Sequence, residues 1–265
     1  MDDPTIPEFE SWNSFDKFSK RVRKQRRFAT DEASRAFIAT VLATAPKRRT
    51  LFYKDTTLYR AQVGVEEESV LDIGGNIVDI RRLGYAAARM LPDPERVTEG
   101  RANPSGIAFL YLASHIKTAI SEIRPWVGSN ISVADFRISR DLTLINVAEG
   151  HGQVGISQLT LNQLAGKESI DAETKRRVVW TDIDNAFSRP VSRSEDLRDY
   201  VPTQILAEAF RENGYDGIVY RSRFGDPGYN VTLFNVADAM AVRSTPYEVK
   251  DIDVSFEVDG HSRNF

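Results

Sequence analysis

Residues 107–113 are apolar without a break, include Phe109 and Tyr111, and are bordered by Gly106 and Ser114. A run of that length, rich in aromatics and flanked by small residues, fits a strand buried on both faces. The period then changes: Ile116, Ala119, Ile120 and Ile123 recur at helical spacing, Ser114 is placed to cap the helix, and Pro125 stops it. A buried strand of this kind needs partners on both sides. Strand patterns occur at 51–53 and 57–63, joined by a turn at Lys54-Asp55, and at 131–138, 142–147, 218–224 and 230–234, with one or two edge strands in 240–257.

Helical patterns fall at 13–28, at 31–43 with Thr30 as cap, around 81–90, within the polar stretch 157–188, and at 202–213, where Pro202 opens the helix and Gly214 closes it. The sum is an α+β fold, a mixed and mostly antiparallel sheet with helices packed around it. Residues 1–48 are expected as a helical N-terminal appendage, 49–257 as the main domain and 258–265 as a tail.

Composition narrows the chemistry. The 41% hydrophobic and 28% charged content is ordinary for a globular chain, and the net charge of −3 offers no general attraction to nucleic acid or anionic membrane. With no cysteine there is no disulfide, thiolate nucleophile or cysteine zinc site. The three histidines, His115, His151 and His261, have no metal-ligand spacing, so no metal is expected. No secretory signal or membrane-length apolar run is seen, and a cytoplasmic location is expected.

Five residues could carry chemistry. Arg60 sits in a strand with Leu58 and Gln62 on its face, and a guanidinium beside apolar residues needs an anionic partner. That partner is either a bound carboxylate or phosphate, or a glutamate of the chain itself. Arg101 and Asn103 lie in the loop entering the buried strand, where binding groups are often displayed; the alternative is a turn in which Asn103 bonds its own backbone. Tyr111 is either core with a satisfied hydroxyl or a ring that stacks on a flat heterocycle. Glu122 falls about 100° from the centre of the apolar stripe of its helix, so it flanks the core and can face a cleft. A carboxylate there could stabilise a ribosyl cation, or it could pair at the surface with Lys117 or Arg124. Ser222, among Tyr220 and Phe224, leaves space for either packing or a ligand; no Gly-x-Ser-x-Gly elbow surrounds it.

Taken together, the segments Leu58-Tyr59-Arg60-Ala61, Arg101 to Glu122 and Gly214 to Ser222 resemble the RES domain, named for its arginine, glutamate and serine. The resemblance spans roughly 57–235 and implies a fold similar to ADP-ribosyltransferases and an NAD-degrading enzyme, often the toxin of a toxin–antitoxin pair. By motif, it implies that Arg60 contacts the dinucleotide, Glu122 acts at the nicotinamide ribose, Tyr111 brackets nicotinamide, Arg101 pairs with phosphate and Ser222 bonds substrate. NAD would be the substrate, inorganic phosphate or water the acceptor, and a neutralising antitoxin protein a partner. Oligomeric state is left open. A rival reading takes Lys20, Arg21, Arg23, Lys24, Arg26 and Arg27 as the nucleic-acid contact of a binding or adaptor protein, against a solvated helix face.

Overall fold

The structure is a computed structural model, and it describes residues 7–25, 30–149, 170–189, 197–224 and 228–253. The expected helix start before residue 170, residues 254–257 of the expected edge strands, the expected tail 258–265 and residues 26–28 of the basic helix lie outside the described residues.

Helix α1 (Ser14–Lys24) and helix α2 (Glu32–Thr44) come first. Asp31, not Thr30, caps α2: its carboxylate accepts the Ser34 N–H at 2.8 Å, which also sets a negative charge at the positive end of the helix. Strands β1 (Arg49–Phe52) and β2 (Thr57–Val63) follow. The turn at Lys54-Asp55, with Asp55 at φ +69°, does not make them a hairpin. They enter opposite parts of the sheet, because each finds its partners elsewhere in the chain.

Strands β3 (Glu66–Leu71) and β4 (Ile77–Leu83) form a separate two-stranded ribbon. A helix was expected around 81–90, but its first part is strand β4 and only α3 (Ala87–Met90) is helical. Beyond lie β5 (Leu110–Ala113), α4 (Ile116–Glu122), β6 (Asn130–Ile138), β7 (Leu142–Asn146), α5 (Ala172–Ser188), α6 (Val201–Glu212), β8 (Gly217–Arg221), β9 (Tyr229–Leu233) and β10 (Ala239–Glu248). Ser114 does not cap α4: His115 occupies that place, and the Ser114 hydroxyl instead accepts the Tyr229 N–H at 3.0 Å.

Eight strands make one sheet in the order β1-β7-β8-β9-β5-β2-β6-β10, antiparallel except for β7 beside β8. One junction is unlike the rest. β2 meets β6 over seven residue pairs, but meets β5 only at Tyr59 and Ala113. The sheet is therefore two ladders touching at a point, and between them the strand edges diverge.

Helices α5 and α6 cover one side of the first ladder. Trp180, Phe187, Leu206 and Phe210 are buried there beside Ile145 and Ile218. The segment expected as an appendage shares this core: Phe15, Phe18, Val22, Phe37 and Val41 belong to the same buried cluster, with the Phe18 and Phe37 rings stacked at 4.6 Å. The buried Trp180 indole donates to Thr44 Oγ1 at 3.1 Å, tying α5 to the end of α2. The opposite side of the sheet is filled by Leu58, Leu110, Leu112, Phe136 and Val231. Among the described residues no helix is long and apolar enough to cross a membrane.

Candidate active site

The divergence of β2 from β5 leaves a cleft of about 340 Å³. Its walls are Tyr59 and Arg60 of β2, Tyr111 and Ala113 of β5, Ala119 and Glu122 of α4, and Arg101 from the preceding loop. Tyr200, Tyr220 and Asn230 close it. Of the five residues picked from sequence, four line this cleft and the fifth, Ser222, is bonded to one of them.

Arg60 bridges the gap in the sheet. One guanidinium nitrogen, Nη1, donates to the backbone oxygen of Tyr111 at 3.1 Å, where a β2–β5 ladder bond would otherwise stand. The internal Arg–Glu ion pair does not form, since no carboxylate among the described residues pairs with Arg60. Its buried Nε has no hydrogen-bond partner at all. Burial accordingly pushes the Arg60 guanidinium below its ordinary value. A desolvated cation with an unused donor, facing a cavity, suits an anionic ligand.

Glu122 is held rather than free. Its Oε1 accepts from Ser222 Oγ at 2.8 Å and from Asn230 Nδ2 at 2.6 Å. The surface pairing with Lys117 or Arg124 is not what the side chain does; α4 turns it inward beside β9. The Ser222 hydroxyl, which also accepts the Phe224 N–H at 3.1 Å, orients this carboxylate. Ser222 follows β8 directly, and the end of that strand is anchored by Asp184 of α5. Asp184 is completely buried and receives Arg221 Nε at 3.1 Å and Ser188 Oγ at 3.1 Å.

Tyr111 fits the reading of a ring with a satisfied hydroxyl, and it also borders the cleft. Its ring lines the cleft, and its hydroxyl is engaged, donating to Asn103 Oδ1 at 2.6 Å and accepting the Ala102 N–H at 3.1 Å. Burial pushes its phenol up, so it stays protonated as this donor. Asn103 is buried and bonds local backbone, to Thr98 O at 3.1 Å and Pro104 O at 3.0 Å, as the turn reading held; it shapes the loop and does not line the cleft. Gln204 of α6 completes that loop by donating to Gly100 O and Asn103 O, both at 3.0 Å. Position 100 has to be glycine, because a side chain there would run into the Asn103 carboxamide and the Tyr111 hydroxyl. Arg101 is thus carried on a braced loop, with its charge beside the buried Tyr220 phenol.

Asn230, Tyr220, Tyr200, Gln204 and Asp184 were not picked from sequence. Asn230 is the second residue of β9, in a strand where asparagine is disfavoured, but that misfit alone does not name its partner.

No curated protein gives a significant match to the chain. A chain in the crystal structure of the M. tuberculosis MbcT–MbcA toxin–antitoxin complex is similar at TM-score 0.36 and 11% identity, over 77% of this chain and 90% of that one. The RES domain family model matches residues 76–259, more than half of the sequence and inclusive of Arg101, Tyr111, Glu122 and Ser222 but not Arg60. The chain belongs to the RES domain family.

Proposed function

We propose that the protein consumes NAD by breaking the bond between nicotinamide and its ribose, with inorganic phosphate or water as acceptor. The observation that carries this reading is the gathering of two arginines, a tethered glutamate and an aromatic wall in one cleft. The fit to an anionic dinucleotide rests on Arg60, a largely desolvated cation in the cleft wall with no carboxylate partner among the described residues, with Arg101 as a second cation.

In NAD the leaving nicotinamide is already cationic, so the C1′–N bond can break with its electron pair passing to the ring nitrogen, and no strong acid is needed. Positive charge then grows on the ribose. Glu122 is the anionic group of the cleft, and its Oε1 is fixed by Ser222 and Asn230 before any charge develops. Pre-oriented electrostatics of this kind are commonly the largest catalytic term. Arg60 and Arg101 would hold the pyrophosphate, supplying position rather than bond-making. Tyr111 would bracket the nicotinamide ring. If a phosphate oxygen bonds to C1′, the products are nicotinamide and ADP-ribose carrying a 1-phosphate. If water attacks, they are nicotinamide, ADP-ribose and a proton.

Family membership supports a toxin role as well, with a neutralising antitoxin as partner. The test is nicotinamide release from NAD with and without inorganic phosphate, followed by phosphorus NMR. Glu122→Gln keeps the hydrogen-bonding shape and should lower the rate about 10²–10³-fold. An unchanged rate in that variant, or a folded wild-type protein that releases no nicotinamide under either condition, would sink the proposal.

A further inference from the structure

The β3–β4 ribbon stands away from the main sheet, and every residue of β4 is exposed. Its large apolar side chains, Leu71, Ile73, Ile77, Val78, Ile80 and Leu83, are between 43% (Leu83) and 110% (Ile73) exposed. A lone two-stranded ribbon is marginally stable in water, and an exposed apolar cluster of this size usually marks an interface. The outer edge of β4 has no strand partner among the described residues. The Ile80 N–H on that edge is met only by its own neighbour, Asp79 Oδ1, at 2.8 Å.

The sequence of β4 is complementary to itself. Turned end for end about Ile80, an antiparallel copy sets Ile80 opposite Ile80 and, twice each, Asp79 opposite Arg81, Val78 opposite Arg82 and Ile77 opposite Leu83. Each aspartate meets an arginine and Ile77, Ile80 and Leu83 meet apolar partners, the combinations that stabilise cross-strand neighbours, while Val78 meets Arg82, whose aliphatic stem can cover it. Strand β3 offers no such match, because an antiparallel copy about its centre sets Glu66 opposite Leu71 and Glu67 opposite Val70, and its three glutamates guard that edge. Val78 is the extra residue of a bulge in β4, so the pairing is closest over residues 79–81, and beyond it the tip of one ribbon is carried toward residues 84–86 of the other. Gly84, Tyr85 and Ala86 line a groove of about 400 Å³ with Met90, Val242 and Pro246. The fully exposed Ile73 at the turn is adjacent to the segment that reaches it.

We propose that two copies of this chain associate about a two-fold axis through antiparallel β4–β4 pairing centred on Ile80. Each ribbon tip lies over the apolar groove at the base of the other. A second copy is favoured over an unrelated protein because Asp79, Ile80 and Arg81 at the centre of one strand answer their own order reversed.

The full-length protein should sediment at twice the chain mass at tens of micromolar. Asp79→Arg alone, which sets arginine against arginine, and Arg81→Asp alone, which sets aspartate against aspartate, should each weaken the dimer at least tenfold. Mixing the two variants restores both oppositely charged pairs and should restore the dimer, a result that also requires both variants to be folded. In a chain without cysteine, Ile80→Cys should cross-link to a dimer on mild oxidation, since paired Cα atoms about 5.5 Å apart lie within disulfide reach. A wild-type monomer at these concentrations, a dimer unaffected by either single variant, or a mixture that stays monomeric would each overturn the proposal.

Discussion

Two of the open strand edges among the described residues are treated in opposite ways. Between β2 and β5 the opening is walled by protein: Arg60 spans it, Glu122 and Asn230 bond across its floor, and Tyr59, Tyr111 and Ala119 stand along it. Along β4 the opening faces solvent and is dressed with isoleucine, valine and leucine. An open edge walled by protein can hold only something small and polar enough to satisfy desolvated donors. An open edge in solvent offers backbone and apolar surface to something that can bring the same. The inner opening thus suits a small anionic ligand, the outer one a polypeptide.

The contrast can be broken most forcefully at the support behind the inner opening. Asp184→Ala should cost about 3 kcal/mol in urea unfolding, because it strips Arg221 and Ser188 of a fully buried acceptor. Nicotinamide release should fall with it as Ser222 loses its footing, while dimerisation at β4 stays unchanged. Arg60→Met should separate binding from stability. With no carboxylate partner to orphan, the change in unfolding free energy should stay within about 1 kcal/mol, whereas KM for NAD should rise roughly tenfold or more. A stability loss of several kcal/mol would instead reveal a paired structural cation. Asn230→Ala should reduce kcat about tenfold with a smaller change in KM, since it frees Glu122 without touching the arginines. Hydrogen exchange gives the gentlest test: the Ile80 and Arg82 amides should slow several-fold as protein concentration rises, and amides of β2 and β5 should not respond.

Much of the sheet could be read from the residues, because its strands are buried and patterned. Residues 107–113 announced β5 and Ile116 to Ile123 announced α4, and the pair β8–β9 followed from two apolar runs around a glycine-rich connection. The ribbon could not be read in this way. Neither of its faces is buried, so the alternation that marks a half-buried strand has nothing to report, and Arg81, Arg82 and Leu83 passed for a helix start. The site was legible as a set of residue types but not as an arrangement. Which strand β2 abuts, and that it does so at one residue pair, depends on register between segments some 50 residues apart. Asn230 stayed hidden because an asparagine in a short apolar run gives no hint of the carboxylate it will meet 108 positions away.

The order of strands in the sheet also bears on when activity can first appear. β5, which carries Tyr111, is flanked on its full-length side by β9, and β9 ends at Leu233. A chain emerging from the ribosome therefore has its arginines and its glutamate long before it has the strand that sets them in place. Until β9 has been translated, the cleft has no floor and Glu122 lacks its Asn230 partner.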